Sequence, residues 1–108
     1  LGTVRTSIHR LTRWPANSLP PSRKDLERQL IKEGLRPFRM VDPPCTYYHT
    51  QAHDRYEVRV VITGRMMIGV EDEQIELHSG DRLDLPAGTP HWVRVLSDDG
   101  AVYLLASR

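Results

Sequence analysis

The sequence predicts an all-β domain, a sandwich or barrel of short strands with one helix near its N-terminus. Three observations carry this expectation. From Phe38 onward, short runs rich in β-branched residues alternate with turn-forming Gly, Pro, Asp and Ser. One segment, Ser22 to Gly34, has helical periodicity with both ends marked. Two stretches, HTQAHDRYEVRVVITG and GDRLDLPAGTPH, place His, Gln and Glu side chains beside strands and tight turns.

The whole chain sets the bounds. Its 108 residues make one domain with a single modest core. The net charge of +1 is spread along the chain, so no basic stripe argues for nucleic acid. No apolar run approaches the ~20 residues that span a bilayer, and LGTVRTSIHRLTRW carries no apolar signal region. Cys45 is the single cysteine, which excludes an intrachain disulfide and makes a reducing, cytoplasmic setting the expectation.

In chain order, TSIHRLTRW is expected to form a short strand that ends at Trp14-Pro15, with His9 a strand or surface histidine. Pro20-Pro21 closes this arm, because proline neither continues a helix nor donates to a ladder. Ser22 is a suitable N-cap, with Asp25 three residues on. Leu26, Leu30 and Ile31 form the apolar stripe of the helix, and Gly34 suits its C-terminal stop. The strands PFRMVD, TYYHTQ, EVRVVIT, MMIGV, QIEL, RLDLP, HWVRVL and AVYLLAS follow, each bounded by turn residues. Residues 1–36 are thus an arm and helix expected to pack on a barrel of residues 37–108, the whole forming one structural domain.

Alternate residues of a strand share a face, so His49, Gln51 and His53 are expected on one side. Glu57 can join them from the neighbouring strand, and the Pro86-Ala87-Gly88 turn delivers His91 to the same place. Nitrogen and oxygen donors converging on one point suit a divalent metal.

These residues carry a resemblance. His53, Glu57 and Gly64 fit the first metal motif of the cupins (His-x-His, three or four residues, Glu, six residues, Gly), with Gln51 where its first histidine is expected. Gly80, Pro86, Gly88 and His91 fit the second motif without a gap. The chain therefore resembles a small single-domain cupin, which implies a double-stranded β-helix, or jelly-roll barrel. The resemblance implies a transition metal (Fe, Mn, Ni, Co or Zn) held by His53, Glu57 and His91. Gln51 ranks as a residue near the site before it ranks as a ligand. His49 is the alternative if the strand is shifted by two residues, and Cys45 is expected to be a small filler rather than a donor.

If Glu57 points inward, Arg59, Val61 and Thr63 follow it by alternation. Arg59 then either clamps a small anionic ligand or pairs with Glu57, Asp81 or Asp84. Tyr47, Tyr48, Met66, Met67 and Trp92 are candidates to line a pocket, beside the commoner uses of such residues in a core or interface. Val58, Val60 and Ile62 form the opposite apolar face, to be covered by the N-terminal segment, the helix or a second subunit. That face, with the resemblance, is the ground for expecting a homodimer. Three functions compete: a small-molecule dioxygenase or isomerase, a ligand-binding or sensor cupin, and a metal-free barrel. Partners are then a small molecule, with no nucleic acid and no membrane.

Overall fold

The computed structural model describes residues 8–108, so Thr6 and Ser7 of the expected first strand lie outside the described residues. The elements are β1 (Arg10–Thr12), α1 (Arg23–Lys32), β2 (Arg36–Asp42), β3 (Tyr47–Gln51), β4 (Glu57–Thr63), β5 (Met66–Val70), β6 (Glu73–Leu77), β7 (Arg82–Leu85), β8 (His91–Val95) and β9 (Ala101–Ser107). They form a five-stranded sheet in the order β1-β7-β4-β9-β2 and a four-stranded sheet in the order β3-β8-β5-β6. Every pairing is antiparallel. This is the all-β architecture that the turn pattern predicts, in the jelly-roll form that the resemblance implies. None of the described helices is long and apolar enough to cross a membrane.

Alternation along β4 separates two cores. Val61 faces the other sheet and packs in a cluster with Met66, Ile68, Leu77, Val93 and Tyr103. Val58 and Val60 face the opposite way, where Leu30, Leu35, Leu104 and Ala106 cover them. The outer apolar face of β4 is thus closed within the chain by α1 and the residue that follows its stop. That face is therefore no longer a ground for a homodimer, which rests on the resemblance alone.

Helix α1 is held at both ends by local chemistry. The Ser22 hydroxyl accepts from the Asp25 N–H at 3.4 Å. At the C-terminus, Gly34 (φ 83°) lets its own N–H reach the Ile31 carbonyl and the Leu35 N–H reach that of Leu30. This is a Schellman stop, and its accompanying apolar contact is the burial of Leu30 and Leu35 in one cluster. Only part of the expected stripe is used. Leu30 is buried and Leu26 packs at the margin, but Ile31 is exposed. Just past the helix end, Glu33 receives both Nη groups of Arg82 at 2.8 Å, while Arg82 Nε donates to Asp84. These bonds hold the Glu33 carboxyl below its ordinary range despite partial burial.

The N-terminal arm pairs with β7 through β1 and is held further by the Asp81 carboxylate. Asp81 accepts from the backbone N–H of His78 and of Trp14 and from Arg13 Nη1, at 2.8 to 2.9 Å. The neighbouring Gly80 has φ 86°, and a Cβ there would run into the Trp14 indole. Gly80 therefore serves the turn and seats the arm. Burial pushes the Asp81 pKa up, yet the three donors together hold it below its ordinary value.

A carboxyl depressed in the folded state stabilises the fold above its unfolded pKa, about 3.9, and loses that contribution as pH falls through the folded value. Urea unfolding of wild type and Asp81→Asn across a pH series should show wild type more stable at neutral pH. The gap should narrow as pH drops below about 4. A gap independent of pH would contradict this role for Asp81.

Candidate metal centre

Three side chains from separate parts of the chain meet at one end of the barrel. Glu57 opens β4, which pairs with β7 on one side and β9 on the other. His91 opens β8, and His53 lies in the loop between β3 and β4. The Gly88 N–H donates to the His53 carbonyl at 2.7 Å, which fastens the turn before His91 to the loop bearing His53. That turn is closed by Thr89, whose hydroxyl donates to the Pro86 carbonyl at 2.6 Å.

One ligand atom from each of His53, Glu57 and His91 lies within 4.8 Å of the others. His53 Nε2 is 3.4 Å from Glu57 Oε2, and His91 Nε2 is 3.8 Å from Glu57 Oε1. Donors bound to one ion at about 2.0–2.2 Å stand roughly 3–4 Å apart, so this spacing fits a metal. The His91 Nδ1 lies 2.9 Å from the Thr89 carbonyl. A carbonyl only accepts, so the proton belongs on Nδ1 and the lone pair on Nε2 faces Glu57. Burial first, then the charge of Arg59, pushes the His91 pKa down against the Thr89 bond and Glu57, favouring the neutral imidazole that a metal requires.

The same cluster is incompletely satisfied by protein groups. Glu57 Oε1 and His91 Nε2 are buried and have no hydrogen-bond partner. Such orphaned groups cost about 1–3 kcal/mol each, more when charged, and a cation at this point would satisfy both. The residues present therefore fit a metal, and a His, His and carboxylate set suits Fe(II), Mn, Ni, Co or Zn. His91 and Glu57 are buried, whereas the His53 side chain is 41% exposed, so the site opens on the His53 side.

Beside the cluster is a cavity of about 140 Å³ lined by Tyr48, Gln51, His53, Arg59, Tyr103 and Leu105, among others. Gln51 pairs with His91 across β3 and β8 and faces this cavity. His49 does not join it. Tyr48 pairs with Val93 and Gln51 with His91, so β3 carries one extra residue between these points. This bulge reverses the strand parity. Tyr48 and Gln51 consequently face inward, and the expected shared face of His49, Gln51 and His53 does not form.

His49 instead stacks edge-on with Tyr47, whose ring lies near Trp92 and under Arg94. Along β8, His91, Val93 and Val95 are buried while Arg94 is exposed, so Trp92 and Arg94 are on the outer face. Trp92 lies against Gly69, where a Cβ would strike the indole. Tyr47 and Trp92 thus do not line the cavity. Met66 is wholly buried in the core between β6 and β8 and does not line it either. Cys45 is exposed at φ 64° in the turn before β3, neither a donor to the cluster nor a packed filler.

Asp42 and Tyr103 escaped the sequence reading. Asp42, at the end of β2, accepts from Tyr48 Oη at 3.0 Å and Tyr103 Oη at 2.6 Å. The only available signal was an acid closing a strand just before Pro43-Pro44. Arg59 is 4% exposed, with Nη1 at 3.4 Å from Glu57 Oε1 and its guanidinium 5.5 Å from the centre of the Tyr103 ring. Asp81 and Asp84, the other acids considered for it, are engaged by Arg13 and Arg82.

Comparisons agree with this architecture. The chain is similar in structure to the DMSP lyase DddQ of Ruegeria pomeroyi, with 25% identity and a TM-score of 0.62 over 68% of this chain and 38% of that one. It is similar to KdgF of a Halomonas species at 23% identity and a TM-score of 0.61, over 68% of each. A single-substitution variant of the oxalate decarboxylase of B. subtilis matches at 26% identity and a TM-score of 0.60, over 68% of this chain but only 20% of that one. No curated protein matches the sequence. The family model described as the cupin domain matches residues 38–107, which runs from β2 to the end of β9. The chain belongs to the cupin family.

Proposed function

We propose that this cupin is a metal-dependent enzyme acting on a small molecule bound between His53, Glu57, His91 and the adjoining cavity. The observation that carries the reading is the pair of buried, unpartnered ligand atoms, Glu57 Oε1 and His91 Nε2, facing a common point with His53. A bound transition metal would supply Lewis-acid polarisation of a substrate oxygen or activation of dioxygen, the chemistries of an isomerase and of a dioxygenase. The protein's own part is positional. Thr89 fixes the His91 tautomer, and β7 and β9 hold the backbone at Glu57 from both sides. Gln51 presents an amide to whatever occupies the cavity. A three-ligand centre of this kind leaves coordination positions open for substrate. Two of the similar structures, at 25% and 26% identity, are named as a lyase and a decarboxylase, which supports an enzymatic reading. The single free cysteine fits a reducing, cytoplasmic setting.

Elemental analysis of protein purified without a histidine tag should find close to one transition metal per chain. Adding Fe(II), Mn, Ni, Co or Zn to stripped protein should raise its melting temperature, since a ligand at a hundred times its Kd stabilises by about 2.7 kcal/mol. No bound metal and no thermal shift would contradict the proposal. His91→Ala should abolish both signals while leaving a folded protein. Retention of metal by this variant would remove His91 from the ligand set. Oxygen uptake and product formation with small hydroxy and keto acids test for turnover, and a loaded protein that turns none over would favour a ligand-binding role.

A further inference from the structure

Arg59 is a buried cation with two of its three guanidinium nitrogens lacking a hydrogen-bond partner. Its Nε and Nη1 have no hydrogen-bond partner although the residue is 4% exposed. It lies against the Tyr103 ring, and its closest carboxylate oxygen, Glu57 Oε1, is 3.4 Å away without forming a hydrogen bond. The ring contact fixes the guanidinium in place without using its N–H groups. Leaving such donors unmade is costly unless a ligand takes them.

The rest of the cavity narrows what that ligand is. The hydroxyl protons of Tyr48 and Tyr103 are both directed at Asp42. Burial, followed by the bond to Asp42, pushes the Tyr103 pKa well above its ordinary value, so the phenol keeps its proton. Donors for a ligand therefore come from Arg59 and Gln51, which favours a group that only accepts. A carboxylate accepts through two oxygens and matches the fork of a guanidinium. Met40 and Leu105 supply an apolar wall for a short carbon chain. The volume of about 140 Å³ lies well below the roughly 300–1,000 Å³ of pockets for drug-sized ligands. With a divalent ion in place, the ion and Arg59 together outweigh Glu57 and Asp42 by one charge, which a monoanion cancels.

We infer that the cavity binds a small monocarboxylate anchored by Arg59, and that metal and carboxylate bind cooperatively because the metal competes with Arg59 for Glu57 Oε1. This rests on the metal-centre reading above. Without metal, Glu57 partly neutralises Arg59. With metal, the Glu57 charge is committed to the ion, and Arg59 turns to the ligand. Linkage then requires the carboxylate to tighten metal binding by the same factor.

The test is calorimetric titration of Zn²⁺ into stripped protein, alone, with pyruvate, and with the neutral pyruvamide. Pyruvate should tighten Zn²⁺ binding roughly fivefold or more, and pyruvamide should not. Arg59→Met should bind Zn²⁺ at least as tightly as wild type without pyruvate, because a repelling charge is gone, and should lose the pyruvate effect. Arg59→Lys should keep part of it, and carries the test if the Met variant does not fold. Equal effects of pyruvate and pyruvamide, or a full pyruvate effect in Arg59→Met, would overturn the inference while leaving the metal reading intact. If wild type binds no Zn²⁺, the metal reading and the cooperativity both fail. Pyruvate binding to the metal-free protein, lost in Arg59→Met, would still support the anchor, and its absence would overturn it.

Discussion

The Glu57 carboxylate is the constraint on which the rest of the structure turns. It is 7% exposed and stands between two imidazoles and a guanidinium, yet its Oε1 accepts no hydrogen bond. A buried carboxylate in that condition is expensive, and the fold tolerates it only where the backbone leaves it no alternative. Glu57 sits on β4, third of the five strands in its sheet, with Leu85 and Ser107 as its register partners. The side chain cannot swing outward, because that would carry Val58 and Val60 away from Leu30 and Leu35 and into the polar end of the barrel.

The turns do the remaining work of convergence. Gly64 at φ 90° allows the hairpin after β4 to pass close to the Gly100 turn, where any Cβ would collide with the Gly100 carbonyl. The Val61 N–H donates to the Asp81 carbonyl and the Gly80 N–H to the Val61 carbonyl, so the start of the second motif is bonded directly to β4. The Gly88 bond to His53 then closes the other end. Each motif is thereby positioned by the other, and His53, Glu57 and His91 are placed by backbone bonds rather than by side-chain packing alone. Asp81 and Gly80 extend the same frame to the N-terminal arm through Arg13 and Trp14.

Most of this was legible in the sequence because it is local. Caps, turn glycines and prolines act within a few residues, and they mark the helix and the strands closely. His53, Glu57 and His91 were legible for the same reason, since their spacing to Gly64 and Gly88 encodes the turns that deliver them. What was not legible depends on pairing. The bulge in β3 exists only relative to β8, and it exchanges His49 and Tyr47 for Tyr48 on the inner face. Tyr103 meets Asp42 on one side and Arg59 on the other because β9 lies between β2 and β4, an order that no local pattern specifies. Met66 has the right parity, but it lies in the middle of the core rather than at its open end. The apolar face of β4 was correctly seen as needing cover, and its cover comes from the same chain.

The centre itself is tested most directly by anomalous diffraction from crystals soaked with Co²⁺ and measured on both sides of the cobalt edge. One strong peak is expected at bonding distance, about 2.0–2.2 Å, from His53 Nε2, His91 Nε2 and a Glu57 oxygen, with Arg59 left off the ion. A peak elsewhere, or no peak with those three side chains unchanged, would contradict a metal centre at Glu57.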